Sequence, residues 1–381
     1  MALYHPEHGY YASGEERFGP AGDFNTSPTT HPAFGALIGC QLVEMWDLLE
    51  RPANFTIVEM GAGDGRLCCD VLRALRIFCP ALYRKLRYVL IERSLRQRQR
   101  QVMTLARLLS KRRDIESVEV LEDSSLDGVT GCFLSNELVD AFPVHRVVKM
   151  DGRLKEVYVG VEGDRFVDVL GELSTPTLQD YLQWLEIELS EGQYGEVNLI
   201  APEWLCQVAS RLSRGFVLTI DYGYSAKELY APRRREGTLL TYRRHCHGKN
   251  LYSRVGQQDL TSHVDFSALV KTGLSIGLEF TGLTTQQMFL MQLGLKQYAE
   301  ALRSLRLPAA ELQANVRAMD ALIRPDELGG HKVLVQHKGV VAPKLTGLGA
   351  ALGRGPDVLR HALKLPRLGR GTESVAWNGL F

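Results

Sequence analysis

The chain has 381 residues, 45% of them hydrophobic and 23% charged, an ordinary globular mix that excludes wholesale disorder and suits two domains or one enlarged one. Lys+Arg 45 against Asp+Glu 44 leaves a formal charge of +1, so no global field recruits nucleic acid or an anionic membrane. No apolar run approaches the ~18 residues of a membrane span, and seven cysteines without a C-x-x-C pair read as the reduced thiols of a cytoplasmic protein.

Residues 1–35 are rich in Gly, Pro, Thr and Tyr, as in Gly22-Asp23-Phe24-Asn25-Thr26-Ser27-Pro28. This is loop chemistry, and a long loop that opens a domain is a candidate lid. Over 34–49 the apolar positions Leu37, Ile38, Leu42, Met45, Trp46 and Leu49 recur at three- and four-residue steps and predict an amphipathic helix. An alternation follows: strand 55–60, helix 67–78, strand 88–91, basic helix 95–109, then short strands over 118–121 and 132–135. This order predicts right-handed βαβ units, a mostly parallel α/β sheet with helices on both faces. The pattern breaks into a hairpin, 144–150 and 154–159 about Asp151-Gly152, and a helix over 178–189. It resumes with helix 203–212, strand 216–220, helix 266–271, strand 278–283, helices between 288 and 323, and strand 331–336. The expected organisation is a loop and helix over the site (1–50), the first half of the core (51–143), an insertion (144–200), the rest of the core (201–344), and a weakly periodic, partly disordered tail (345–381).

The most informative stretch is Thr56-Ile57-Val58-Glu59-Met60-Gly61-Ala62-Gly63-Asp64-Gly65-Arg66-Leu67. A buried strand running through three alternating glycines into a helix lets the backbone approach a ligand closely and aims helix N–H groups at it. The bland reading, a plain strand-to-helix turn, does not ask for three glycines. The dinucleotide fingerprint requires Gly or Ala where Arg66 stands, and an acid about 20 residues on; Glu92, in Ile91-Glu92-Arg93, comes later. A second constellation, Ser135-Asn136-Glu137-Leu138-Val139-Asp140, follows the fourth strand. Ligands of open α/β sheets sit beyond the carboxyl ends of the strands, which makes Glu137, Asp140 and Asn136 catalytic candidates. The competing reading has Asn136 capping a helix with both acids in its first turn.

The pattern Glu59-x-Gly61-x-Gly63-x-Gly65 resembles the first motif of class I S-adenosylmethionine-dependent methyltransferases. The ordered set of Pro6, Gly9-Tyr10-Tyr11, Gly22-Asp23-Phe24, Thr26-Ser27-Pro28, Phe34-Gly35, the glycine loop, Asn136-Glu137-x-x-Asp140-Ala141-x-Pro143-Val144-His145, Asp221-Tyr222-Gly223, Asp259-Leu260-Thr261 and Val264-Asp265-Phe266 resembles the MidA family of such enzymes. That family includes a mitochondrial complex I assembly factor. The resemblance implies a class I methyltransferase (Rossmann-like) fold with a substrate-covering insertion. It implies S-adenosyl-L-methionine as cofactor, held by Glu59, Gly61, Gly63, Gly65, Glu92, Asp23, Thr26 and Ser27. It also implies methylation of arginine on a protein partner, a subunit of a respiratory NADH dehydrogenase. In this reading Glu137 clamps the guanidinium, Asp140 assists and Asn136 lies near the cofactor, while His145, Asp221, Tyr222, Asp259 and Asp265 line the substrate path. The chain departs from the family at Ala62 and Asp64, where Pro and a basic residue are common, and at Leu138-Val139, commonly aromatic.

Other features carry less. In Tyr242-Arg243-Arg244-His245-Cys246-His247 neighbouring side chains diverge and no fourth ligand is evident, so no metal is expected. The run Arg93, Arg96, Arg98, Arg100, Arg107, Lys111, Arg112 and Arg113 lacks an aromatic platform and reads as a solvated helix face, not a nucleic-acid site. Of Cys68 and Cys69, at most one is expected to face the core. Two alternatives remain: a nicotinamide-dependent oxidoreductase, and a non-catalytic assembly factor with a retained cofactor site.

Overall fold

The computed structural model describes residues 1–12, 23, 25–109, 118–123, 126–244, 246–349, 367–368 and 374–375. The chain forms two units, a larger one of Arg17–Asn136, Ser210–Ile220 and Leu278–Phe381, and a smaller one of Met1–Glu16, Glu137–Ala209 and Asp221–Gly277.

The larger unit is built on a seven-stranded sheet, its strands numbered in chain order: β1 (Phe55–Met60), β2 (Leu86–Ile91), β3 (Val118–Leu121), β4 (Val129–Asn136), β5 (Leu212–Asp221), β6 (Glu279–Thr285) and β7 (Lys332–Lys338). Their order is β6-β7-β5-β4-β1-β2-β3. The run from β5 to β3 is parallel throughout, and β6 pairs antiparallel with β7. The α/β class and the mostly parallel sheet are those expected. Interior strands of such sheets are covered on both faces, which is why β1 reads as an apolar run buried at its first five residues.

The helix Ala33–Leu48 differs from the expected amphipathic one: residues 33–46 are all buried. Small residues admit its neighbour, the helix Arg66–Phe78. A Cβ on Gly35 would fall 2.6 Å from that of Asp70. The same close packing buries Cys68 and Cys69 together, correcting the expectation that only one faces inward. Within this interior the Glu44 carboxylate accepts from Gln41 Nε2 at 2.7 Å and from the Thr346 N–H and hydroxyl, both at 2.9 Å. Most of the expected tail lies outside the described residues; of its described part, Leu368 N donates to Asn315 Oδ1 at 2.9 Å.

The smaller unit holds a four-stranded antiparallel sheet in the order Arg165–Gly171, Arg153–Glu162, His145–Met150, Tyr194–Val197. The predicted hairpin turns at Asp151 (φ 53°) and Gly152 (φ 71°), the left-handed pair a tight hairpin needs. The predicted helix over 178–189 is shorter, Thr177–Trp184. Glu186 turns left-handed at φ 60° and Ile187 N reaches back to the Leu182 carbonyl at 2.8 Å, closing the helix end. Leu185 and Leu189 continue into the core beside Val147, Leu178, Leu182 and Tyr230. A three-stranded sheet orders Cys246–Gly248, Leu240–Arg243 and Asp259–Thr261. Among the described residues no helix is long and apolar enough to cross a membrane.

Candidate active site

In the larger unit the strand order reverses between β1 and β4, the position where open α/β sheets bind ligands beyond their strand ends. The glycine loop leaves β1 there. Gly61, Gly63 and Gly65 have φ of 68°, 52° and 81°, a region that costs an L side chain about 1–2 kcal/mol per residue. Asp64 Oδ1 accepts from Arg66 N at 3.1 Å, so a large residue stands where a dinucleotide turn needs a small one. Two residues that the sequence reading missed pin the loop: Gln97 Nε2 and Gln101 Nε2 donate to the Gly63 carbonyl at 2.8 and 3.0 Å. Their i, i+4 spacing on the helix Leu95–Leu108 was the available signal.

Glu92 follows β2, and its Oε1 accepts from Ser94 N at 2.9 Å; burial raises its carboxyl above the usual range, against the pull of that bond. A glycine loop with an acid after the neighbouring strand fits a ligand carrying a ribose, whose two hydroxyls one carboxylate engages. Glu59 sits at the end of β1 but is buried, accepting from Tyr88 OH at 2.6 Å, and burial pushes it up to about 8. Ser27 is buried and donates to Gln286 Oε1 at 2.9 Å. Thr26 N donates to Thr29 Oγ1 at 3.0 Å, opening the helix Ser27–Thr30. Asp23 is buried. Asn136 ends β4.

In the smaller unit the chain from Glu137 makes one tight turn. Glu137 is left-handed at φ 51° and a 3₁₀ turn, Val139–Ala141, follows, so no helix forms for Asn136 to cap. Asp221 takes that role. Its Oδ2 accepts from the N–H groups of Leu138, Val139 and Asp140 at 3.2, 2.9 and 3.3 Å, and its Oδ1 from Tyr222 N at 2.9 Å. Ser262 N donates to the Asp140 carbonyl at 3.1 Å and Tyr4 OH to the Ala141 carbonyl at 2.6 Å. Tyr222 OH donates to Asp140 Oδ2 at 2.5 Å, while Asp140 Oδ1, buried, has no hydrogen-bond partner among the described residues. Burial pushes Asp140 up to about 6, opposed by the Tyr222 bond. Burial, then the charges of Asp140 and Glu137, raise Asp221 well above its usual range.

Asp259 accepts from Tyr11 OH at 3.0 Å, tying the Gly9-Tyr10-Tyr11 segment to this unit. Two further candidates have partners within this unit. Asp265 caps the helix Phe266–Ser275 through Ala268 N at 3.1 Å, and His145 Nδ1 meets Glu156 Oε1 at 2.7 Å across the hairpin. Of the Tyr242–His247 stretch, His245 lies outside the described residues; among the described ones no three His, Cys, Asp or Glu side chains gather to hold a metal.

Residues 37–284 match the family described as "Putative S-adenosyl-L-methionine-dependent methyltransferase". The mouse mitochondrial protein arginine methyltransferase NDUFAF7 is 27% identical over 349 residues, 86% of this chain and 76% of that protein. Its Drosophila melanogaster homolog is 27% identical, covering 90% and 81%. A crystal structure of a Burkholderia thailandensis protein bound to S-adenosyl-homocysteine superimposes with a TM-score of 0.82 at 28% identity, covering 93% of this chain and 89% of that one. A class I fold, a glycine loop with an acid after β2, and these likenesses agree on S-adenosyl-L-methionine as cofactor, and the chain belongs to the MidA family of S-adenosyl-L-methionine-dependent methyltransferases.

Proposed function

We propose that this methyltransferase acts on arginine in a protein, with a respiratory NADH dehydrogenase subunit as the acceptor that the family resemblance implies. One observation carries the arginine reading: Asp140 presents a buried carboxylate oxygen with no partner among the described residues, in an acid cluster where burial, then the charges of Asp140 and Glu137, raise the proton affinity of Asp221. A guanidinium supplies what the cluster lacks, a planar cation with several donors. The names of the curated relatives agree with this reading.

Gly61, Gly63, Gly65 and Glu92 would hold the cofactor, which supplies an electrophilic methyl group on a sulfonium. The chain's own residues do the rest. Glu137 and Asp140 hold the guanidinium and orient one nitrogen. A guanidinium stays protonated at any working pH, so the nitrogen that gains a methyl must shed a proton. Asp140, with its affinity raised by burial, takes it. Asp221 and Tyr222 position the pair.

The test uses methyl-labelled S-adenosylmethionine and extract of a strain deleted for the gene. The purified protein should label a protein band that yields methylarginine on hydrolysis. Glu137→Gln should keep its affinity for S-adenosylhomocysteine while transfer falls at least about tenfold, ~1.4 kcal/mol of transition-state stabilisation. Label on lysine or a carboxyl group, or full activity in Glu137→Gln, overturns the reading. Cofactor binding with no labelled protein favours an assembly role instead.

A further inference from the structure

The smaller unit also carries a concentration of positive charge. Positions 233–249 carry Arg233, Arg234, Arg235, Arg243, Arg244 and Lys249 against one acid, Glu236, in a chain whose formal charge is only +1. A cavity of about 540 Å³ opens there, its lining including Arg146, Arg233, Arg234, Arg235 and Lys249 with Glu196 and Glu236. Both lining acids are engaged: Glu196 Oε2 accepts from Thr238 N at 2.7 Å and Thr238 Oγ1 at 2.9 Å, and Glu236 pairs with Lys249.

Two arginines are held by carbonyls instead of carboxylates. Arg234 Nε donates to the Glu228 carbonyl at 3.1 Å and Arg235 Nη2 to the Glu191 carbonyl at 2.8 Å. These bonds fix the guanidinium groups in place without neutralising them. The Lys249–Glu236 pair is exposed on both sides and is weakened by solvent screening, so an incoming carboxylate displaces Glu236 readily.

We propose that this basic cavity docks an acidic segment of the protein whose arginine is methylated, a reading that rests on the proposed function. At about 540 Å³ it lies in the ~300–1,000 Å³ range of ligand pockets, too large for one inorganic anion. Its cations come from separate stretches of chain, which suits carboxylates spaced along a peptide. A nucleic acid is disfavoured because the aromatic faces here already carry guanidinium groups: Arg234 lies 4.0 Å from the Tyr224 ring centroid and Arg146 6.0 Å from that of Tyr194. Among the described residues lining the cavity, the aromatic ring is that of Tyr194, so a run of open rings for stacked bases is not what the lining offers.

The test measures fluorescence anisotropy of a fluorescein-labelled hexaglutamate peptide with the full chain, with hexaglutamine as the neutral control. Hexaglutamate should bind, hexaglutamine should not, and added salt should weaken the complex. Arg233→Glu/Arg235→Glu should weaken it at least about tenfold, with melting temperature and S-adenosylhomocysteine affinity unchanged. Arg233→Gln/Lys249→Gln, a milder change, should weaken it about threefold and serves if the first variant folds poorly. Unchanged hexaglutamate affinity in both variants overturns the proposal, as does displacement of the peptide by an equal concentration of a 12-nucleotide single-stranded RNA. No methyl transfer occurs in this assay, so it fails independently of the arginine reading.

Discussion

Replacing Asp221 by alanine removes the acceptor on which the Glu137–Asp140 turn closes. Three backbone N–H groups, of Leu138, Val139 and Asp140, converge on one carboxylate oxygen. Val139 and Asp140 are buried, so two of the three donors lose their partner with no water in reach. A stranded buried donor costs about 1–3 kcal/mol, giving about 2–6 kcal/mol for the pair. The left-handed strain at Glu137, φ 51°, is about 1–2 kcal/mol and relaxes once the turn is released. Removal of a buried charge beside Asp140 also offsets part of the loss. The expected net destabilisation is about 3 kcal/mol. Asp221→Asn, which keeps one acceptor oxygen, should cost about 1 kcal/mol or less. Trp204 is a natural reporter, its ring 6.0 Å from that of Phe142, the residue after the turn. Urea unfolding followed through tryptophan emission measures the loss, with S-adenosylhomocysteine affinity read separately by calorimetry. If Asp221→Ala stays within about 1 kcal/mol of the parent at the same m-value, the turn does not depend on that carboxylate and the reasoning fails.

Gly63→Val puts a branched side chain at φ 52° and should weaken S-adenosylhomocysteine binding at least tenfold (~1.4 kcal/mol) by calorimetry; NAD binding with no response to S-adenosylhomocysteine would contradict the loop assignment. Glu92→Ala should cost about 1–3 kcal/mol of cofactor affinity, the range for hydrogen bonds to a charged group, and an unchanged affinity would move the ribose contact to another acid. Glu59, pushed up to about 8 by burial, keeps its proton in the folded chain between about pH 4.5 and 8 while the unfolded chain releases it. The folded state therefore binds the extra proton, and stability falls as pH rises through that window, by up to about 1.4 kcal/mol per pH unit from this group. Glu59→Gln should flatten the slope in urea titrations across pH 6–8. Tyr222→Phe removes the hydrogen bond that lowers Asp140, so the acid limb of methyl transfer should move to higher pH; a shift to lower pH would contradict the assignment of Asp140 as proton acceptor.

What the sequence determined by itself is what local chemistry decides. Strands β1 and β3 fall at the predicted residues because short apolar runs bounded by breakers have few other conformations, and the glycine loop was legible because three left-handed positions at alternate residues ask for glycine. The order of strands and helices carried the α/β class, since parallel strands need crossovers. The rest depended on contacts between residues distant in sequence. Asp221 looked like a substrate-lining acid, and only folding brings it under the N–H groups of residues 138–140, 81 to 83 positions away. The partner of Asp259 is Tyr11, 248 positions off, and no periodicity joins residues 1–16, 137–209 and 221–277 into one unit. The all-round burial of Ala33–Leu48 likewise follows from the neighbours that surround it, because periodicity reports which face of a helix is apolar and tertiary packing decides whether the other face meets water.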